Sequence, residues 1–145
     1  MRIVIVSGFF NPLHGGHLDM IEAARAMGDK LIVLVDNDKQ QIIKKGKIIL
    51  PETNRLRLIR ALRAVDEAYI SLGDEAGQVK SLEMLVNKYP NDQLLFGNGG
   101  DRKVEGDITE ADFCREHAIE MVFGVGGNDK ADSSTRINQA LGHKK

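Results

Sequence analysis

The stretch Phe9-Phe10-Asn11-Pro12-Leu13-His14-Gly15-Gly16-His17 gathers the groups in this chain best suited to meet a phosphate, including two of its four histidines three positions apart. If a helix starts between them, an i, i+3 pair puts both imidazoles on one face beside the positive end of the helix dipole, with backbone N–H groups nearby. Such an arrangement attracts anions. Gly15 and Gly16 carry no side chain that would hold a triphosphate away from the backbone. The spacing alone also allows a zinc pair, although no third ligand accompanies it, and a lone histidine here would more simply cap or pack the loop. A second candidate is Asp132-Ser133-Ser134-Thr135-Arg136-Ile137. An N-cap needs one hydroxyl; three, followed by an arginine at a helix start, make an anion site. The third is Lys44-Lys45-Gly46-Lys47, a basic loop that by itself reads equally well as a solvated charge cluster.

The surrounding pattern says what must position these residues. Ile3 to Val6 and Leu31 to Val35 are short, continuous, β-branched apolar runs, as expected of strands buried on both faces of a parallel sheet. Between them Leu18, Ile21, Ala24 and Met27 recur at near-helical spacing from Gly16, and Gly28 stops that helix. Gln40 to Pro51 reads as a basic loop with a helical start. Glu52 to Val65 reads as an amphipathic helix with Leu58, Ile59, Leu62 and Val65 inward and its arginines mostly outward. Ala68 to Leu72, Gln93 to Phe96 and Ile119 to Gly124 complete the strands. Helices are expected around Val79 to Val86, from a Thr109–Asp112 capping box to about His117, and from Ser133 to Leu141. Alternation of this kind implies a single doubly wound, Rossmann-like α/β domain over residues 1–145 with a parallel sheet of about five strands. Ligands in such folds bind at the carboxyl ends of the strands, where the histidine motif, Asp36 to Asp38 and Gly97 to Asp101 all fall.

Composition narrows the partners. Twenty basic against 21 acidic side chains give a formal net charge of −1, so no broad positive field exists to hold a nucleic acid. The single cysteine, Cys114, can form neither an internal disulfide nor a cysteine-based zinc site. No apolar run approaches the roughly 20 residues that cross a bilayer, and MRIVIVSGFF lacks the parts of a secretory signal. The expected location is the cytoplasm, without a membrane partner.

Phe9 to His17 resembles the GxFDxxHxGH signature of the HxGH nucleotidyltransferases, and Ser133 to Ile137 resembles their C-terminal SSTxI motif. Gly28 to Val33, Lys45-Gly46-Lys47, Arg55 and Arg63 to Asp66 follow in the order seen in glycerol-3-phosphate cytidylyltransferases and in the heptose-1-phosphate adenylyltransferase domain. Gly99-Gly100-Asp101 is closer to the latter. Phe10 to Pro12 and Ser133 to Arg136 are also similar to nicotinate-mononucleotide adenylyltransferases. Three positions depart from the cytidylyltransferase pattern: Asn11 replaces the usual aspartate, Asn128 stands where the glycerol-3-phosphate enzymes carry an arginine, and Asp132 replaces an apolar residue.

The resemblance implies transfer of CMP or AMP from CTP or ATP to a small phosphate- or phosphonate-bearing acceptor, with release of pyrophosphate and the help of Mg2+. It implies catalytic roles for His14, His17 and Lys45, with Lys44 or Lys47 as alternatives in register. Nucleotide contacts would come from Gly8, Phe9, Phe10, Gly16, Gly99, Asp101, Ser133, Ser134, Thr135 and Arg136. Acceptor contacts would come from Asp38, Arg55, Arg63 and Lys47, no protein side chains would serve as dedicated metal ligands, and the chain would pair as a homodimer. A nicotinate-mononucleotide- or pantetheine-phosphate-type adenylyltransferase and a catalytically silent nucleotide-binding module are the alternatives.

Overall fold

The computed structural model describes residues 1–73, 77–99 and 110–125, so Asp101, Ser133 to Arg136, the expected final helix and Thr109 lie outside the described residues. Five parallel strands form one sheet: β1 (Arg2–Gly8), β2 (Lys30–Val35), β3 (Glu67–Ile70), β4 (Gln93–Gly99) and β5 (Glu120–Val125). Their order is β3-β2-β1-β4-β5. The chain therefore steps outward from β1 in one direction, then returns to its other side, and the crevice above β1 and β4 is the switch point where ligands bind in such sheets.

Both faces are covered, which explains the unbroken apolar runs. Val4, Val6, Leu31, Val33 and Val35 meet Ile21 and Ala24 of α1 (Gly15–Arg25) and Ile59 of α3 (Glu52–Arg60). Ile3, Ile5, Ile32, Leu34, Leu94 and Phe96 meet Leu82 and Leu85 of α4 (Val79–Lys88) and Cys114 of α5 (Ala111–Glu116). Alternation along each strand divides the core into these two layers. No helix among the described residues is long and apolar enough to cross a membrane.

Three elements differ from the sequence expectation. Asp38–Lys45 is a helix, α2, which begins before and extends well into the Gln40 to Pro51 segment expected to be a basic loop with only a helical start. The Asn37 side chain accepts from the Gln40 N–H at 2.8 Å and Gln40 returns the bond to Asn37 N–H at 2.9 Å, a reciprocal cap. Gly46, at φ 75, ends the helix in the left-handed conformation that glycine adopts freely. The next helix, α3, stops at Arg60 rather than Val65, and its inward face carries Arg55 while Leu58 is exposed. Finally, α5 begins after Glu110, which occupies the N-cap position without a side-chain cap bond, in place of the expected Thr109 cap.

The amino-terminal side of β3 holds a compact ionic cluster. Glu67 accepts from Lys30 at 2.7 Å, from Lys88 at 3.2 Å and from the hydroxyls of Tyr69 and Tyr89. Burial pushes its carboxyl pKa up, but these four donors outweigh burial and hold it at about 2. A depressed pKa contributes stability that is present above the ordinary carboxylate range and lost as pH falls from about 4.5 towards 2. Glu67→Gln should therefore cost about 2–3 kcal/mol at pH 7. Urea unfolding at pH 7 and pH 3 checks this, because the gap between the two proteins should narrow at the lower pH.

Candidate active site

The site begins where β1 runs out. Phe10 turns back beneath Gly8, so closely that a Cβ at Gly8 would lie 2.8 Å from the phenyl ring. Phe10 itself sits at φ 53, a conformation costly for a bulky residue and held here by its buried ring. That ring meets His17 edge-on, with centroids 4.9 Å apart, and His17 stacks on His14 at 3.8 Å. A buried aromatic thus supports a column of two imidazoles.

Helix α1 starts between the histidines, as their spacing suggested. His14 is its N-cap and His17 its third helical residue. His14 Nδ1 accepts from Gly16 N–H at 3.0 Å, and His17 Nδ1 accepts from His14 N–H at 3.3 Å. This is a capping box built from two histidines instead of a hydroxyl and a carboxylate. Its chemical consequence is direct: with Nδ1 accepting in both neutral rings, the proton of each must sit on Nε2. Two Nε2–H donors are thereby fixed at the positive end of α1. Gly16, expected at the nucleotide, is buried with its N–H donated to His14, and the exposed glycine at the helix start is Gly15.

Other expected site residues divide into those brought to this edge and those withdrawn from it. Gly99 ends β4 and pairs with Val125 beyond a register shift, at the switch-point crevice. Phe9 gives its carbonyl to Arg55 at 2.8 Å. Lys45 is the last residue of α2 and Lys47 follows its glycine stop, half-buried. The segment after Lys47 is fixed to the histidine motif by Asn11, whose buried Oδ1 accepts from Ile49 and Leu50 N–H at 2.9 and 2.7 Å. Asn11 therefore ties the end of the lysine segment to the motif. An aspartate here would accept the same pair of bonds.

Arg55, expected at the acceptor, is 0% exposed. Its guanidinium donates to the carbonyls of Leu50, Phe9 and Asp36 and to the Asp38 carboxylate. It is a buried brace joining the ends of β1 and β2 to α2 and α3. Asp38, also expected at the acceptor, is held in a reciprocal pair: its Oδ1 accepts from Glu52 N–H, and its own N–H donates to Glu52 Oε1, both at 2.9 Å. Arg63, also expected at the acceptor, lies elsewhere. It is exposed and lies three residues before Asp66, which bonds the Leu31 N–H at the start of β2. That is the amino edge of the sheet, opposite the histidines.

Sequence reasoning passed over Glu52 and Ser71, and it placed Asn11 and Asp36 at the ligand edge without showing that their side chains are buried, as are those of Ser71 and Gln78. The Asn37–Gln40 capping pattern followed by Gly46 was a usable signal for α2. Nothing in the pattern of Arg55 distinguishes it from its exposed neighbours Arg57 and Arg60.

A doubly wound parallel α/β sheet with a histidine-capped helix start at its switch point defines the Rossmann-like class. Residues 5–145 match the cytidylyltransferase-like family model. The chain belongs to that family, within the HxGH nucleotidyltransferases, and is a nucleotidyltransferase. It is 33% identical over 142 residues to an FAD synthase of Methanosphaerula palustris, covering 97% of this chain and 88% of that protein. Three other FAD synthases match over 54%, 44% and 56% of their length, and that of Methanocorpusculum labreanum over 96%. The chain is also 40% identical over 129 residues to the bifunctional protein HldE of Methylococcus capsulatus, 84% of this chain but 27% of that protein. Among solved structures, the lipopolysaccharide core biosynthesis protein of Thermoplasma volcanium GSS1 superposes with a TM-score of 0.63 at 27% identity, covering 91% of this chain and 99% of that one.

Proposed function

We propose that the chain transfers AMP from ATP to the phosphate of a small metabolite, releasing pyrophosphate. The observation that carries the reading is the reciprocal His14–His17 cap, which commits both Nδ1 atoms to the backbone and so places the proton of each neutral ring on Nε2, at the start of α1. In the reaction, an acceptor phosphate oxygen attacks the α-phosphorus, a P–O bond forms, and the α–β bridging bond breaks with its electron pair leaving on pyrophosphate. The nucleophile is already anionic, so positioning and charge neutralisation suffice. The two imidazoles would donate to the α- and β-phosphate oxygens, Lys45 or a neighbouring lysine would close over them, and Ser133, Ser134, Thr135 and Arg136 would hold the outer phosphates.

ATP is preferred over CTP on two grounds: the resemblance of Gly99-Gly100-Asp101 to the heptose-1-phosphate adenylyltransferase domain, and relatives named FAD synthase. Those relatives make FMN one acceptor to test, and the HldE match together with the same resemblance makes an aldose 1-phosphate the other. Mg2+ would enter with the triphosphate. Such a cation would be held mainly by phosphate oxygens and water. When bound, it supplies charge neutralisation. We further propose a cytoplasmic homodimer, for which sedimentation velocity should show a species of twice the chain mass.

The test is pyrophosphate release with each of the four nucleoside triphosphates crossed with FMN, glucose 1-phosphate, glycerol 3-phosphate and phosphoethanolamine. ATP with at least one of the first two should turn over. Tight ATP binding with no turnover under any pairing would favour a silent nucleotide-binding module.

A further inference from the structure

A second polar centre lies beneath the carboxyl ends of β2 and β3, on the α4–α5 face, and the transfer mechanism does not use it. Asp36 follows β2 and points to that face by strand alternation, two residues after Leu34 of the same core layer. Its carboxylate accepts from the side-chain amide of Gln78, and Ser71 Oγ donates to Gln78 Oε1 at 2.7 Å. Glu110, from the start of α5, accepts the Gln78 backbone N–H on Oε1 at 2.8 Å. Four elements thus bring Asp36, Ser71, Gln78 and Glu110 together out of water.

What the centre lacks is a donor. Glu110 is 2% exposed, and its Oε2 has no hydrogen-bond partner. One other buried side-chain atom among the described residues is in the same condition: Oε1 of Gln41, beside Gln40 on α2, whose amide reaches the Gly77 carbonyl next to Gln78. Both orphans are acceptors. Helix α2 is turned to match, burying Gln40 and Gln41 while Ile42 and Ile43 stand 53% and 60% exposed. A buried carboxylate oxygen without a donor is costly, and at the sheet edge where ligands bind in such folds a ligand hydroxyl can supply one.

We propose that this centre reads hydroxyl groups of the acceptor, with Glu110 Oε2 as the principal contact. The acceptor would then be a polyhydroxylated phosphate monoester, either an aldose phosphate or the ribityl phosphate of FMN. The inference rests on the transfer reading for the term acceptor, but its test does not depend on turnover. Binding is measured by calorimetry for wild type, Glu110→Gln and Glu110→Ala against FMN, glucose 1-phosphate, phosphoethanolamine and ATP. Glu110→Gln retains an oxygen for the Gln78 N–H, so thermal unfolding of that variant should stay close to wild type. It should weaken whichever hydroxyl-rich phosphate binds wild type by about tenfold or more, leaving ATP and phosphoethanolamine within about twofold. FMN and glucose 1-phosphate as separate arms identify the source of the hydroxyls.

Equal weakening of every ligand, no change in any, preferred wild-type binding of phosphoethanolamine, or no wild-type binding of either hydroxyl-rich phosphate would each overturn the proposal. Binding that behaves as expected without pyrophosphate release would count against the transfer reaction alone.

Discussion

His14→Asp and His17→Glu should each lower turnover by about 100- to 1,000-fold while leaving the fold in place. The choice of replacement follows from the cap. Aspartate is among the best N-cap residues and glutamate is a standard third-position partner. Each variant can therefore keep the backbone bond that the imidazole Nδ1 now accepts from Gly16 or His14. What neither can restore is the Nε2–H donor at the helix terminus, because an ionised carboxylate only accepts. Alanine at His17 would remove the donor and the cap together and should also cost about 1 kcal/mol of stability. Parallel measurement of kcat and thermal unfolding separates the two functions of each ring. A histidine pair that mattered only for capping would show stability changes that track the cap and turnover that does not follow the loss of Nε2–H.

Arg55→Met should produce the largest loss of stability of any single substitution at the carboxyl edge, about 3–5 kcal/mol. Methionine approximates the aliphatic length but strands the carbonyls of Leu50, Phe9 and Asp36 and one oxygen of Asp38 in a buried space. Lysine would not rescue it, because a single ammonium cannot spread its donors as the planar guanidinium does. Against a total of roughly 5–15 kcal/mol for a domain of this size, the loss should show as a large drop in urea midpoint. The effect should also reach the site. Phe9 lies inside the histidine motif, and Leu50 is one of the two residues whose N–H groups hold Asn11.

The sequence was most informative where one periodicity governed one segment. Val4, Val6, Val33 and Val35 announce a sheet buried on both sides, and the His14–His17 spacing announces the start of α1. It was least informative where a polar residue is buried. Arg55 on an otherwise amphipathic helix reads as a surface arginine, because the acceptors that bury it come from residues 5 to 46 positions away. The same holds for Glu110, whose partner Gln78 is 32 positions distant. Arg63 shows the converse: its place in a family pattern suggested the acceptor, whereas the direction of α3 carries it to the opposite edge. Helix α2 was hidden by its own inversion, with glutamines inward and isoleucines outward, which defeats any reading by hydrophobic period.

The proposed transfer makes the α-phosphorus the reacting centre, and isotopic label decides whether it is. With ATP labelled separately at the α- and γ-phosphates and the best acceptor from the panel, the α label should pass to the acceptor and the γ label should leave in pyrophosphate. Both transfers should fall together in His17→Glu. Recovery of the γ label on the acceptor, or unchanged α transfer in that variant, would contradict the account.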